Sequence, residues 1–125
     1  MTELLHKELS GQIIGALFEV HNNLGNGLLE KYYQRGLAAE FQKRGVSFQE
    51  QVSVSMSYKG KSIGRRVLDF LVDGKVVVEI KKDNYFSRQH IEQATSYLKA
   101  LNLELAILAN FTGGGVKFKR ILNLY

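Results

Sequence analysis

The chain has 125 residues, 45% of them hydrophobic, which fits one domain over 1–125 with a real core and excludes a disordered chain. It has no cysteine and no apolar run near the roughly 20 residues of a membrane span, so disulfides, thiolate sites and membrane helices are excluded and a reducing cytoplasm is the expected compartment. The net charge of +5 fits either a solvated basic surface or a polyanionic partner.

In chain order, residues 3 to 24 read as a helix. Leu5, Leu9, Ile13, Leu17, Val20 and Leu24 recur at spacings of three and four, and Asn22, Asn23, Gly25 and Gly27 end it. Glu3 and Glu8 within this amphipathic pattern make a poor signal peptide. A second helix is predicted from about Leu28 to Arg44, with Leu29, Tyr33, Leu37 and Phe41 on one face and Gly45 as its stop. Residues 48 to 58 alternate, Val52, Val54, Met56 and Tyr58 against Ser53, Ser55 and Ser57, as a half-exposed strand does. Lys59-Gly60-Lys61 makes a turn, and strands over 63–72 and 75–81 flank Asp73-Gly74, a strong hairpin signal.

Ser87 caps a third helix over 88–101, with Ile91, Ala94, Leu98 and Leu101 inward. Leu103 to Ala109 is a short apolar strand, 112–115 a loop and 116–122 a last alternating strand. Asn110-Phe111-Thr112 matches a glycosylation sequon, which without secretion is chance. Hairpins first and a strand–helix–strand crossover afterwards predict a mixed sheet with helices on its faces, an α/β layer architecture.

The third strand ends in charge: Val76, Val77 and Val78 give way to Glu79, Ile80, Lys81 and Lys82. Strand side chains have a period of two, so Glu79 and Lys81 share a face. Asp69 can join them only if the hairpin is irregular. A strict two-residue turn pairs Val72 with Lys75 and turns Asp69 away from Glu79; a three-residue loop or a bulge restores the parity. Two acids and a backbone carbonyl then make a hard oxygen site suited to Mg²⁺ or Mn²⁺. Such an ion polarises a phosphoryl oxygen and lowers the pKa of bound water, which the lysine can orient. A salt bridge from Lys81 to Glu79 or Asp69 accounts for the same residues without chemistry.

Two further stretches bear on the choice. Glu30 falls in the first turn of the second helix, where the helix dipole favours an acid. Gln93 and Tyr97 lie four apart on the third helix, beside its apolar stripe. Basic residues cluster at Lys59, Lys61, Arg65 and Arg66, at Lys81 and Lys82, and at Lys117, Lys119 and Arg120, a distribution that suits phosphates.

Taken together, these stretches resemble the small bacterial and archaeal proteins named for their GxxExxY motif, which belong to the PD-(D/E)XK nuclease superfamily. The name motif matches as Gly27, Glu30 and Tyr33, within a flank of Glu19, Val20, His21, Leu24, Gly25, Leu28 and Leu29. The nuclease core matches as Asp69, then Glu79-Ile80-Lys81, and a downstream Q-x-x-x-Y-L-K as Gln93, Tyr97, Leu98 and Lys99. The likeness runs from about Ile13 to Leu122. One position departs: Leu68 stands where the superfamily's name has proline. The resemblance implies a restriction-endonuclease-like mixed sheet flanked by helices. It implies metal ligands at Asp69, Glu79 and the Ile80 carbonyl, with Glu30 reaching the same site from its helix. Lys81 would position the attacking water, and Gln93 would contact phosphate or water at the rim.

Three readings follow: a metal-dependent phosphodiesterase acting on nucleic acid, DNA ahead of RNA; a non-catalytic nucleic-acid-binding module; and an interaction subunit whose acid–lysine cluster is structural. The set Glu30, Asp69, Glu79, Lys81 and Gln93 favours the first, since binding alone needs none of them. Arg65, Arg66, Lys82, Lys117 and Lys119 are the expected nucleic-acid contacts. No membrane partner is expected, and a homodimer is compatible with one cleavage site per domain facing two strands.

Overall fold

In the computed structural model, which describes residues 6–82 and 85–124, the apolar periodicity of the first half becomes two helices, α1 (Lys7–Leu24) and α2 (Glu30–Arg44). Residues 3 to 5 of the predicted first helix, including Leu5, lie outside the described residues. α2 stops at Gly45, whose φ of 71° suits a residue without a side chain, and its N–H returns to the Phe41 and Gln42 carbonyls. The helix begins two residues later than Leu28, so Leu29 is an exposed N-cap and not part of the buried face.

Five strands among the described residues form one sheet in the order β1-β2-β3-β4-β5: β1 (Phe48–Tyr58), β2 (Lys61–Val72), β3 (Val76–Lys81), β4 (Leu105–Thr112) and β5 (Gly115–Leu122). All neighbours are antiparallel except β3 and β4, which run parallel and are joined through helix α3 (Arg88–Leu101). Ser87 caps α3 as expected, accepting from His90 N–H at 3.1 Å. β4 is longer than the apolar run suggested and reaches Thr112, where Gly113-Gly114 turns the chain into β5.

The sheet separates two cores. α1 and α2 cover one face, packing Ile13, Leu17, Leu37 and Phe41 against Phe70, Val78 and Ile107. α3 covers the other, with Ala94, Tyr97 and Leu98 against Val77, Ala106 and Leu108. β3 and β4 lie in the middle and are buried along nearly their whole length, as strands covered on both faces must be.

One irregularity shapes the site. Leu68 packs in the α3 core, yet Phe70, two residues on, packs in the α1–α2 core. β1 changes face in step, with Phe48 on the α1–α2 side and Val52 and Val54 on the α3 side. The exchange falls where the β1–β2 register skips Gln51 opposite Asp69, and Gln51 has a left-handed φ of 51°. This is a local break in the pleat of both strands. Beyond it the β1–β2 hairpin runs outward, and residues 61–67 of β2 are all exposed.

Candidate active site

The hairpin of β2 and β3 takes the irregular form needed to bring Asp69 and Glu79 to one face. Val72 pairs with Val76, not Lys75, leaving a three-residue turn of Asp73, Gly74 and Lys75. Extended by one step, that register sets Asp69 opposite Glu79. The backbone ladder itself ends at Phe70 and Val78. Past that pair the side chains replace it: Asp69 N–H donates to Glu79 Oε2 at 2.5 Å, and Ile80 N–H donates to Asp69 Oδ2 at 2.8 Å. Each carboxylate thus ties down the opposite strand with one oxygen, satisfying a backbone donor that the parted ladder would orphan.

The pair is buried, and Glu79 is only 3% exposed. Burial, with the Asp69 charge second, pushes the Glu79 carboxyl up to about 8. Burial also raises Asp69, against the opposing pull of the Ile80 N–H and the Lys81 ammonium. Near neutral pH the two carboxyls therefore retain a proton between them. The same surroundings raise the Tyr97 phenol to about 12, burial first and the Glu79 charge second. Tyr97 keeps its proton and donates it to the Val67 carbonyl at 3.2 Å, holding α3 to β2 next to Asp69.

Lys81 lies on the α3 face with Glu79. Its Nζ donates to Gln93 Oε1 at 3.1 Å and stands 3.7 Å from Glu79 Oε1. Four of the five residues proposed for chemistry from sequence, Asp69, Glu79, Lys81 and Gln93, are thus brought into one bonded group.

Glu30 is placed differently. It opens α2, is exposed, and lines a cavity of about 160 Å³ with Tyr33, Ile80, Lys81 and Lys82. It reaches the same strand end but does not join the acid pair: no three acids or histidines among the described residues stand close enough to hold a metal ion. The loop before it is pinned by Tyr33, whose hydroxyl donates to the Gly25 carbonyl at 2.8 Å and accepts from Leu28 N–H at 3.2 Å. The glycine, acid and tyrosine spacing is therefore a device for seating Glu30: Gly27 turns with φ 92° and Tyr33 ties the turn. His21 is a satisfied boundary residue, with Nε2 2.8 Å from the Thr112 carbonyl and its ring stacked on Phe111.

The candidate phosphate contacts divide by face. Arg66 turns toward α3 and lines a cavity of about 410 Å³ with Met56, Gln89 and Gln93, whereas Arg65 points to the other face and donates to Ser53 at 3.4 Å. Lys117 and Lys119 pair across β4 with Asn110 and Leu108, which in turn oppose Lys81 and Glu79, so both lysines share the sheet face of the acid–lysine group. Lys82 is exposed beside Glu30. One residue escaped the sequence reading: Asn110, polar yet fully buried on β4 beside Lys81. An amide directly after five buried apolar residues was its signal.

A five-stranded mixed sheet with helices on both faces and paired acids at the end of its middle strand defines a restriction-endonuclease-like α/β fold. The sequence model of the PD-(D/E)XK nuclease superfamily matches residues 7–121, and the chain belongs to that superfamily. No curated protein matches the sequence. Among solved structures it is similar to SSO0001, at 20% identity and a TM-score of 0.59 over 74% of this chain and 50% of that one. This chain thus spans half the length of that protein. It is also similar to an alkaline exonuclease, LHK-Exo, from Laribacter hongkongensis, at 12% identity and a TM-score of 0.51 over 91% of this chain and 82% of that one. The complex of that exonuclease with dAMP matches at 11% identity over the same shares. These likenesses are of fold. No helix among the described residues is long and apolar enough to cross a membrane.

Proposed function

We propose that this protein is a divalent-metal-dependent nuclease of the GxxExxY type, cleaving phosphodiester bonds in nucleic acid, DNA ahead of RNA. The observation that carries it is the parted end of β2 and β3. Two carboxylates are held in a buried gap at the cost of raised pKa values, beside a lysine fixed by a glutamine. A purely structural strand end gains nothing from that arrangement, because two apolar residues would pair without it.

The donor set fits a hard cation. Asp69 Oδ1 and Glu79 Oε1 accept none of the backbone N–H bonds described above, and Glu79 Oε1 stands 3.7 Å from the Lys81 ammonium. Asp69, Glu79 and the Ile80 carbonyl would hold Mg²⁺ or Mn²⁺, with Glu30 as an outer support. Bound there, the ion supplies positive charge for a phosphoryl oxygen and lowers the pKa of its water. The chain's own groups do the rest. Gln93 Oε1 fixes the Lys81 amine, which orients the attacking water and offsets charge on the phosphate. Arg66, Lys117 and Lys119 bind the flanking phosphates on the α3 face, with Arg65 and Lys82 further out. The dAMP bound by the structurally similar exonuclease is consistent with a nucleotide product. A homodimer would supply a second site for a second strand.

Labelled single- and double-stranded DNA and RNA, incubated with Mg²⁺ and Mn²⁺, test the proposal. Cleavage by the native protein and none by Asp69→Ala supports it. Binding without cleavage under both ions refutes the catalytic role and leaves a nucleic-acid-binding module.

A further inference from the structure

Among the described residues, Asn110 is the side chain whose polar atoms are buried with no hydrogen-bond partner. It is fully buried, with Leu105 to Ala109 before it and Phe111 after it all buried and apolar. Core packing does not call for an amide here. Leucine has the same branching and number of side-chain heavy atoms, though more bulk, and carries no donor or acceptor to desolvate.

The register decides what the amide faces. Lys81 and Asn110 are partners across the parallel β3–β4 pair. Opposed residues share a face, and Leu108, two residues earlier, packs in the α3 core. The amide therefore lies on the α3 face, about one strand spacing (~4.8 Å) from the root of Lys81. The Lys81 ammonium has three N–H bonds to place. Gln93 Oε1 takes one, Glu79 Oε1 stands opposite a second, and no described group takes the third.

We propose that Asn110 is a positioning residue for Lys81: its amide holds the third N–H of the amine through one bound water. Gln93 and Asn110 then fix the amine from two sides. A water is small enough for a position with no exposed surface, and the amide and the ammonium together give it the two or more polar partners that it needs. The assignment rests on Lys81 serving the reaction proposed above, but the juxtaposition of amide and lysine does not.

The experiment is a cycle of four proteins: wild type, Asn110→Leu, Lys81→Met and the double variant, assayed on labelled DNA with Mn²⁺. Leucine keeps the branching of the side chain, removes both polar atoms and occupies the space of the water. We expect it to lower kcat about tenfold, with KM within about twofold, since the step loses orientation and not binding. Asn110→Ser, which leaves room for water and a hydroxyl to hold it, restores most of the rate. In the Lys81→Met background Asn110→Leu costs nothing more. Equal kcat for wild type and Asn110→Leu, or losses that multiply in the double variant, overturn the proposal. Should the leucine variant not fold, Asn110→Val, smaller and equally without a polar side-chain atom, run against Lys81→Met gives the same cycle. The same proteins are also melted in EDTA, a readout that needs no turnover. Residues that share a bonded water give melting shifts that depart from additivity by about 3 °C, and additive shifts overturn the link. A wild type that cleaves nothing while this coupling persists would remove the nuclease function and keep the Asn110–Lys81 link.

Discussion

Replacing Glu79 with glutamine isolates a single proton. Glutamine's amide oxygen can still accept from Asp69 N–H, so the strand tie survives and only the ionisation is lost. In the wild type the carboxyl moves from an ordinary value of 4.5 to about 8 in the folded protein. Between those pH values the folded state keeps a proton that the unfolded chain has released. Stability from this group is therefore complete below pH 4.5 and is lost as pH rises through 8. The interval is roughly 3.5 pH units at ~1.4 kcal/mol each, a ceiling of about 5 kcal/mol. Asp69, raised by the same burial, adds in the same direction. Glu79→Gln removes the loss and the repulsion on Asp69 together. The metal-free variant should match the wild type at about pH 5 and exceed it by roughly 2–4 kcal/mol at about pH 8.5. Urea unfolding followed by circular dichroism, in EDTA across that range, measures both curves. Mn²⁺ should restore the wild type at the alkaline end, where cation replaces proton, and should leave the variant unchanged. A wild-type stability that is level from about pH 5 to about pH 8.5 would refute the raised carboxyl and the electrostatic case for the site.

Other outcomes follow from the same geometry. Lys81→Met should keep the fold with metal present, keep or tighten Mn²⁺ binding in calorimetry, and lower turnover by roughly 10² or more; early melting with full turnover per folded molecule would make Lys81 a structural ion pair. Mn²⁺ affinity should rise with pH toward about 8 and be accompanied by proton release, measurable as a buffer-dependent binding enthalpy, and Asp69→Ala should bind poorly at every pH. Tyr33→Phe removes two hydrogen bonds of the loop that seats Glu30 and should cost about 1–2 kcal/mol in urea unfolding, with Mn²⁺ binding at Asp69 retained. Charge reversal at Lys117 and Lys119 should flatten the salt dependence of duplex binding more than reversal at Arg65, which faces away from the acids.

The parts of this fold that follow from repeating patterns were legible in the sequence. The helical spacing of α1 and α3, the Ser87 cap and the hairpin around Asp73-Gly74 all rest on local chemistry that a short window contains. So was the need for an irregular β2–β3 hairpin, which the three-residue turn of Asp73, Gly74 and Lys75 supplies. The separate face exchange at Gln51 and Asp69 was not legible, because it depends on Gln51 taking a left-handed φ that glutamine seldom adopts. Alternating serines and valines look the same on either side of such a break. The end of β4 was misplaced because Asn110 interrupts the apolar run, and an amide inside a strand reads as a turn former. Arg65 and Arg66, adjacent in sequence and grouped as one basic patch, are divided by the pleat. The Gly27, Glu30 and Tyr33 spacing was visible, but the placement of Glu30 depends on Tyr33 closing a loop onto Gly25, eight residues back, a hydrogen bond that helical periodicity does not reveal.

The break in the pleat at Gln51 and Asp69 divides the β1–β2 hairpin into parts with different freedoms. On its inner side, where β2 from Asp69 to Val72 runs on through the turn into β3, the register fixes which core each residue enters and whether two carboxylates meet. One residue inserted there would turn Phe70 or Asp69 over. On its outer side, residues 53–67 carry little buried surface, and the strands can lengthen or shorten in pairs without moving the acids. The outer ribbon holds Lys59, Lys61, Arg65 and Arg66 and no acid. Under the nuclease function proposed above, descendants of such a chain could exchange one nucleic-acid shape for another by editing the ribbon while Asp69 and Glu79 stay in place. On that function the seam in β1 and β2 separates what is grasped from what is done to it.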